Sequence, residues 1–535
     1  MCSSRMRCRL PRSTRWFGFL LGFASFLGAH AGRADETLLF EGAVPDDGLE
    51  HFFVPFEVPA GTQELEVAHD DLSAANILDF GLDDPKGYRG WGGGTSEPVI
   101  VNELAASRAY VPGALPPGTW KVVVGKAKLL ELPGHYRIQL TLRDQPTLAP
   151  QTERTPYVPA LPLAVEARWY AGDFHVHSRE STDAQPALSA LATFAEGRGL
   201  DFVEISDHNT VTQDDYLVHV QAAHPALLLM PGVEFTTYHG HGNAIGATRW
   251  IDHRIGQPGV TIDGAVAAIH QQGALFALNH PKLDLGTACI GCAWALPLPK
   301  EALDAVEIAT GGWKAAGSVF TPKAIALWDE LCSGGVHLAA IGGSDDHDGG
   351  QAKGAFASPI GSPTTMVYAR ELSAAAILEG VRSGRTVVKL HGPDDPMIEL
   401  DAREARVEDE VSAAEVHVTA RVTGGSGSDV TFVKDGQDVA TVPVTSDPFV
   451  AEFTIVPPLT GETRLRAEVW IDGIPHTVTS HLWLRTGPSE PAEPGACGCR
   501  VGISETPTTA RVSALLGVLA LGCLRVQRRK KQRHS

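Results

Sequence analysis

The chain has 535 residues, 44 Lys and Arg against 63 Asp and Glu, and a formal charge of −19. This acid excess excludes a protein that holds nucleic acid by neutralising phosphates, so no nucleic-acid partner is expected. With 43% hydrophobic and 20% charged residues it is neither wholly disordered nor a polytopic membrane protein, and its length suits two to four domains.

Residues 1–31 read as a secretory signal peptide. Arg5, Arg7, Arg9, Arg12 and Arg15 surround the start of an apolar run at 16–27, and Ala29-His30-Ala31 offers a small-residue cleavage site. The run is shorter than the roughly 20 residues of a spanning helix. From 35 to 148, short alternating segments such as 51–56 and 63–67 are separated by Gly, Pro and Asp, which predicts a β-sandwich accessory domain. It carries no chemical constellation of its own and is similar to the prepeptidase-type β domains of secreted bacterial enzymes. A linker at 149–166, with Pro150, Pro156, Pro159 and Pro162, reads as a stiff spacer.

Between 167 and 392 the pattern changes. Apolar strands are expected at 202–205, 227–230, 275–278, 305–308 and 338–341, and helices at 186–197, 262–272, 322–331 and 373–382. Pro186 suits a first helical turn, and Gly273 and Gly384 suit helix ends. Repeated βα units imply a parallel sheet, either a barrel or a doubly wound sheet. Short alternating strands return at 395–485 and predict an immunoglobulin-like domain with a structural or spacing role. A Pro-rich stalk at 486–496 leads to a tail at 497–535. The tail holds Cys497-Gly498-Cys499, an apolar run at 512–524 and a closing cluster that includes Arg525, Arg528, Lys530 and Arg533. A positive end fits a segment held at the inner face of a membrane. The tail resembles the MYXO-CTERM sorting signal of myxobacterial surface proteins. That resemblance implies membrane attachment through the tail, recognition by sorting machinery, and a location at the cell surface or outer membrane, or secretion after tail processing.

In parallel α/β folds, active residues gather where strands end and loops begin. The expected strand ends of the central domain read Asp173-Phe174-His175-Val176-His177-Ser178, Ser206-Asp207-His208-Asn209, Pro231-Gly232-Val233-Glu234, His239-Gly240-His241-Gly242-Asn243, Asn279-His280-Pro281 and Gly343-Ser344-Asp345-Asp346-His347. Each carries imidazole or carboxylate, the ligands of zinc, iron and manganese. Among 21 histidines a single His-x-His is unremarkable, and a lone buried histidine is more often a core residue. His219, His224, His253, His270 and His337 are read that way. Six successive ligand-bearing ends point instead to a multinuclear metal site, in which two ions about 3.5–4 Å apart activate a water and clamp a tetrahedral transition state.

In order, Asp-x-His-x-His-Ser, Ser-Asp-His-Asn, Pro-Gly-Val-Glu, Gly-His-x-Asn, Asn-His-Pro and Gly-Ser-Asp-x-His resemble the PHP (polymerase and histidinol phosphatase) superfamily. Gly384-Arg385-Thr386-Val387 resembles the ending of its CehA/McbA-type branch. The resemblance implies an α/β fold, a distorted (β/α)7 PHP barrel flanked by N- and C-terminal β-sandwich domains, holding two or three divalent metal ions (Zn, Mn or Fe). It implies that His175 and His177 bind the first ion with Asp345, that Glu234 bridges to a second, and that His241 and His280 hold the second. Asp183, His208 and His347 hold a third ion where one is present. Asp183 stands in Ser181-Thr182-Asp183-Ala184, where relatives show Ser-Asp-Gly. His239 competes with His241, which the Gly-His-x-Asn context favours. Asp207 is expected to orient a ligand; Asp173, Asp346 and Asp348 are not assigned.

The expected function is exported, metal-dependent phosphoesterase activity on a small, anionic ester. His208 or His347 serves as general acid where no third ion occupies it. Lys282 and Arg179 are candidates to grip the anion, although each is more often a surface charge. The alternatives are carboxyl-ester or carbamate hydrolysis, for which the CehA/McbA branch is named, and a surface binding or adhesion protein that keeps the barrel as a scaffold. No Gly-x-Ser-x-Gly elbow, phosphate loop or His-Glu-x-x-His occurs. Cys289-Ile290-Gly291-Cys292 reads as a local disulfide of an exported protein, and Cys332 as a buried thiol.

Overall fold

The N-terminal strands alternate buried and exposed residues, so each presents one apolar face, and two such faces close on each other. In the computed structural model, which describes residues 35–485 apart from 355–356, 403–404, 407–409 and 413–414, they form two four-stranded antiparallel sheets. One runs in the order Glu36–Ala43, His135–Arg143, Glu64–Asp70, Val99–Asn102; the other His51–Val58, Gly118–Lys128, Ile77–Asp84, Gly87–Trp91. Their inner faces meet around Trp120, Leu65, Leu82 and Tyr110. The expected signal peptide, stalk and tail lie outside the described residues. Among the described residues no helix is long and apolar enough to cross a membrane.

The central segment is mixed α/β and richer in strands than expected. Nine strands follow one another in the order Ala339–Gly343, Ala305–Thr310, Leu275–Leu278, Gly240–Ile245, Leu228–Thr237, Phe202–Ile205, Arg168–Asp173, Thr364–Ala369, Thr386–Lys389. Where repeated βα units predicted parallel pairing throughout, Gly240–Ile245 is antiparallel to both neighbours, and Thr364–Ala369 is antiparallel to both of its own. The remaining pairs are parallel. The first strand is tied to the last two by side chains instead of a backbone ladder: Gly342 N–H donates to Thr365 Oγ1 (2.8 Å), and Thr386 Oγ1 donates to the Ala340 carbonyl (2.7 Å). Five α-helices, Leu188–Gly197, Asp214–Ala223, Ile262–His270, Ser318–Cys332 and Ala374–Arg382, cover the sheet. Thr261 and Ser373 cap two of them by accepting from Gly264 N–H and Ala376 N–H, as small hydroxyl residues do at helix starts.

Beyond Thr386–Lys389 the same sheet continues into the C-terminal segment through Ile474–Thr479, Glu462–Ile471, Asp429–Lys434 and Gln437–Pro443, so no break in the hydrogen-bonded ladder divides the two. A second sheet, Ala405–Arg406, Met397–Ala402, Val416–Thr423, Phe449–Ile455, packs on it over Phe432, Val418 and Leu465. Asp329, on the helix Ser318–Cys332, ties this segment to the central one. Its Oδ2 lies 2.7 Å from Arg466 Nη1, and its carbonyl accepts from Arg464 Nη2 at 2.9 Å, with all three side chains largely buried. Breaking a buried pair leaves a charge without its partner, which costs more than the pair's net worth. Asp329→Ala is therefore expected to lower stability by about 3–5 kcal/mol. This is read as a lower urea midpoint; an unchanged midpoint contradicts it.

Candidate metal centre

Glu234 sits in the middle of the ten-residue strand Leu228–Thr237, and His241 lies within Gly240–Ile245. Both were expected beyond strand ends. The difference arises because the two strands form a hairpin, pairing Glu234 with Asn243 and Thr236 with His241. The other residues do come from loops that follow strands: His175 and His177 after Arg168–Asp173, His208 after Phe202–Ile205, His280 after Leu275–Leu278, and Asp345 and His347 after Ala339–Gly343. Four non-glycine residues in these loops, Thr182, Asn209, His280 and Asp345, hold φ between 31° and 56°. Left-handed backbone costs of the order of 1–3 kcal/mol at such residues and gathers at functional sites.

All nine expected ligand residues meet in one place. The Glu234 carboxylate, fully buried, has His175 Nε2 at 3.4 Å, His177 Nε2 at 3.6 Å, His208 Nδ1 at 2.7 Å, His241 Nδ1 at 3.3 Å and His280 Nε2 at 3.2 Å. Asp345 Oδ1 lies 3.3 Å from His175 Nε2 and 3.2 Å from His177 Nε2. Asp183 Oδ2 reaches His208 Nε2 at 3.3 Å and His347 Nε2 at 3.4 Å. His239 turns the other way, onto Glu50 at 2.6 Å. The histidines read as structural stand apart: His224 pairs with Glu196, His270 with Asp304 and His337 with Glu462.

The rings are held from behind. His175 Nδ1 lies 3.2 Å from Glu307 Oε1, His177 Nδ1 3.1 Å from Ser181 Oγ, and His280 Nδ1 3.0 Å from the Cys292 carbonyl. His241 Nε2 lies 3.2 Å from the Ile290 carbonyl. Such partners fix the tautomer and aim the opposite nitrogen forward. Asp207 accepts from Ser178 N–H and Ser178 Oγ, both at 2.6 Å, and so steadies the chain beside His177. Glu307 is a site residue that the sequence reading passed over, because it lies inside the apolar run Ala305–Thr310; a buried acid in such a run was the available signal. Cys289 and Cys292 are joined, and their loop supplies both carbonyls behind His241 and His280. Cys332 is buried.

The donor set fits divalent cations. His175 Nε2 and His177 Nε2 are buried and make no hydrogen bond, a state that costs free energy unless something occupies the lone pair. Burial pushes His177 down to about 3, with His347 and His208 adding to it, which leaves the neutral imidazole that a metal requires. Burial acts to raise Glu234, but His175, His208 and His241 hold it well below the usual carboxylate range. Burial likewise opposes protonation of His175 and His208, and the neighbouring carboxylates overcome it and raise both well above the ordinary value. The carboxylates thus concentrate negative charge in a space that demands cations. The groups His175/His177/Glu234 and His177/His208/His347 each bring three ligand atoms within 4.8 Å of one another. His391, Asp395 and His476 form a separate group. Its two imidazoles stack 4.1 Å apart at 3°, so their in-plane lone pairs run side by side and do not converge.

A cleft of about 470 Å³ opens over Asp183, His208 and His241. Its far wall comes from the N-terminal sandwich, through Asp79, Trp91 and Thr95. The sequence reading gave that domain no part in the chemistry. No Lys or Arg lines the cleft among the described residues. Arg179 is 59% exposed and nearest Glu180, and Lys282 is exposed on another side of His280.

No family profile and no curated protein matches the chain. Among solved structures, it is similar to a two-domain protein from Bacteroides vulgatus described as containing a predicted PHP-like metal-dependent phosphoesterase. The identity is 20% over 63% of this chain and 100% of that one, with a TM-score of 0.35. A CARDB domain from Pyrococcus furiosus, solved with di-metal ions, is 16% identical over 17% of this chain and 88% of its own, with a TM-score of 0.13. At such scores neither likeness bears on the arrangement of the site.

Because one disulfide-closed loop holds both His241 and His280, Cys289→Ser with Cys292→Ser is expected to weaken metal binding by about 10–100-fold. Competition with a chelator measures this; unchanged affinity contradicts it.

Proposed function

We propose that the chain is a metal-dependent hydrolase of the PHP kind and, within that class, a phosphoesterase. In this reading the nine-stranded sheet is a distorted relative of the (β/α)7 barrel. The observation that carries the reading is the convergence of five imidazoles on buried Glu234, with Asp345, Asp183 and His347 joined to the same rings. His175, His177 and Asp345 would hold one ion and His241 and His280 a second, with Glu234 available to both. Asp183, His208 and His347 would hold a third ion where one is present. Zinc, manganese and iron all suit this donor set. Bound there, divalent ions supply Lewis acidity and lower the pKa of water.

The chain's own residues supply the rest. Glu307 and Ser181 fix the rings of His175 and His177, and the Ile290 and Cys292 carbonyls fix those of His241 and His280. Hydrolysis joins a water oxygen to phosphorus, breaks the bond to the leaving oxygen and requires a proton there. His347 is suited to give it when no third ion is present. Burial works against its protonation, but its pairing with Asp183, whose Oδ2 lies 3.4 Å from Nε2, favours it.

The lack of Lys and Arg along the cleft favours a second reading, hydrolysis of an uncharged carboxyl ester or carbamate. An adhesion scaffold has no use for converging buried lone pairs. Export, with display on the cell surface through the tail or release after processing, remains part of the proposal on the strength of the terminal sequences.

The test compares p-nitrophenyl phosphate, bis-p-nitrophenyl phosphate and naphthyl esters with added Mn²⁺ or Zn²⁺. Glu234→Ala and His175→Ala are each expected to lose bound metal and to lower kcat/KM at least about a hundredfold. Phosphoester turnover that survives in the metal-free double variant overturns the proposal, and naphthyl-ester turnover without phosphoester turnover favours the second reading.

A further inference from the structure

The N-terminal sandwich does more than sit beside the metal centre. Tyr88 Oη donates to the Asn209 carbonyl (3.0 Å), Thr182 Oγ1 donates to the Gly92 carbonyl (2.8 Å), and Arg108 Nη1 donates to the Ala184 carbonyl (2.9 Å). Each contact lands on, or next to, a loop that carries a site residue. Tyr238, just past the strand that bears Glu234, donates to Asp79 Oδ2 at 2.7 Å. Trp91 is braced by His253, with ring centres 4.6 Å apart, and His51 stacks on Tyr238. One wall of the cleft is therefore a fixed part of the sandwich.

We infer that this wall chooses the leaving group: through Asp79, Trp91 and Thr95 the N-terminal domain admits esters whose leaving group is uncharged or cationic, donates a hydrogen bond to Asp79 and carries an apolar part, and it rejects anionic leaving groups. The inference rests on the hydrolase reading above and specifies its substrate class.

Three observations carry it. Asp79 Oδ2 is taken by Tyr238, whereas Oδ1 accepts no hydrogen bond among the described residues, so the wall offers an acceptor. Gly94 keeps that oxygen accessible, because a Cβ there would stand 3.2 Å from Oδ1. The sandwich wall presents an acid and an aromatic ring, and no Lys or Arg lines the cleft among the described residues, so an anionic leaving group placed against that wall would meet Asp79 without a basic side chain to offset it. The aromatic ring and the carboxylate together suit an alkylammonium or hydroxyl-bearing group.

The test uses the full, metal-loaded chain and two aryl phosphates of similar size, 4-(aminomethyl)phenyl phosphate and 4-carboxyphenyl phosphate. The ratio of their kcat/KM values in each variant is divided by the wild-type ratio, which cancels the intrinsic reactivity of the two phenols. Asp79→Asn, and Thr95→Lys, which adds a cation to the half-buried wall, are each expected to shift the ratio about tenfold toward the carboxylated ester with metal content unchanged. A ratio that neither variant moves, or that moves the opposite way, overturns the inference. Calorimetric binding of the two free phenols reads the cleft without turnover. If neither phosphate is hydrolysed but the cationic phenol binds and Thr95→Lys weakens it about tenfold, the phosphoesterase reading falls and the inference stands. If neither phenol responds to Thr95→Lys or Asp79→Asn, the inference falls.

Discussion

Glu234 is a carboxylate with no solvent exposure and the imidazole nitrogens of five histidines within 3.6 Å. An ionised group in the interior costs several kcal/mol unless charge and hydrogen bonds compensate it. Here the compensation cannot be local. The five rings come from positions between 175 and 280, and Asp345, which shares two of them, from farther along the chain. The sheet must therefore be curved and continuous enough to bring those segments to one point. The left-handed backbone at His280 and Asp345 is a cost carried for the same purpose.

Much of this was legible in the chain. Phe202–Ile205 and Leu275–Leu278 stand where short apolar runs bounded by turn residues put them, and the helices Ile262–His270 and Ala374–Arg382 follow hydroxyl caps and apolar periodicity. Gly240–Ile245 was not legible as a strand. Its sequence, Gly-His-Gly-Asn-Ala-Ile, has little strand propensity, and it is extended because it is paired on both sides. The helix Asp214–Ala223 was hidden by a start in which Asp214 is itself buried. Thr364–Ala369 was hidden because its pairing with Arg168–Asp173 spans about two hundred residues.

The ligand residues were recognisable because each sits in a short motif with its own chemistry. Glu307 and Asp79 were not, since neither has a motif. Glu307 matters through the His175 ring at its tip, and Asp79 through a domain that folds against the site from the other end of the chain. Both are properties of contact across long sequence separations, which composition and periodicity do not carry. The N-terminal sandwich is accordingly part of the cleft, with its Asp83 also paired to Arg254 of the central segment at 2.8 Å.

The account stands on cations at the cluster, and locating them tests it most directly. Crystals of the chain grown with Mn²⁺ or Zn²⁺ are expected to show anomalous diffraction peaks among His175, His177 and Asp345 and among His241, His280 and Glu234. A structure saturated with either metal that shows no anomalous peak within that cluster contradicts the account.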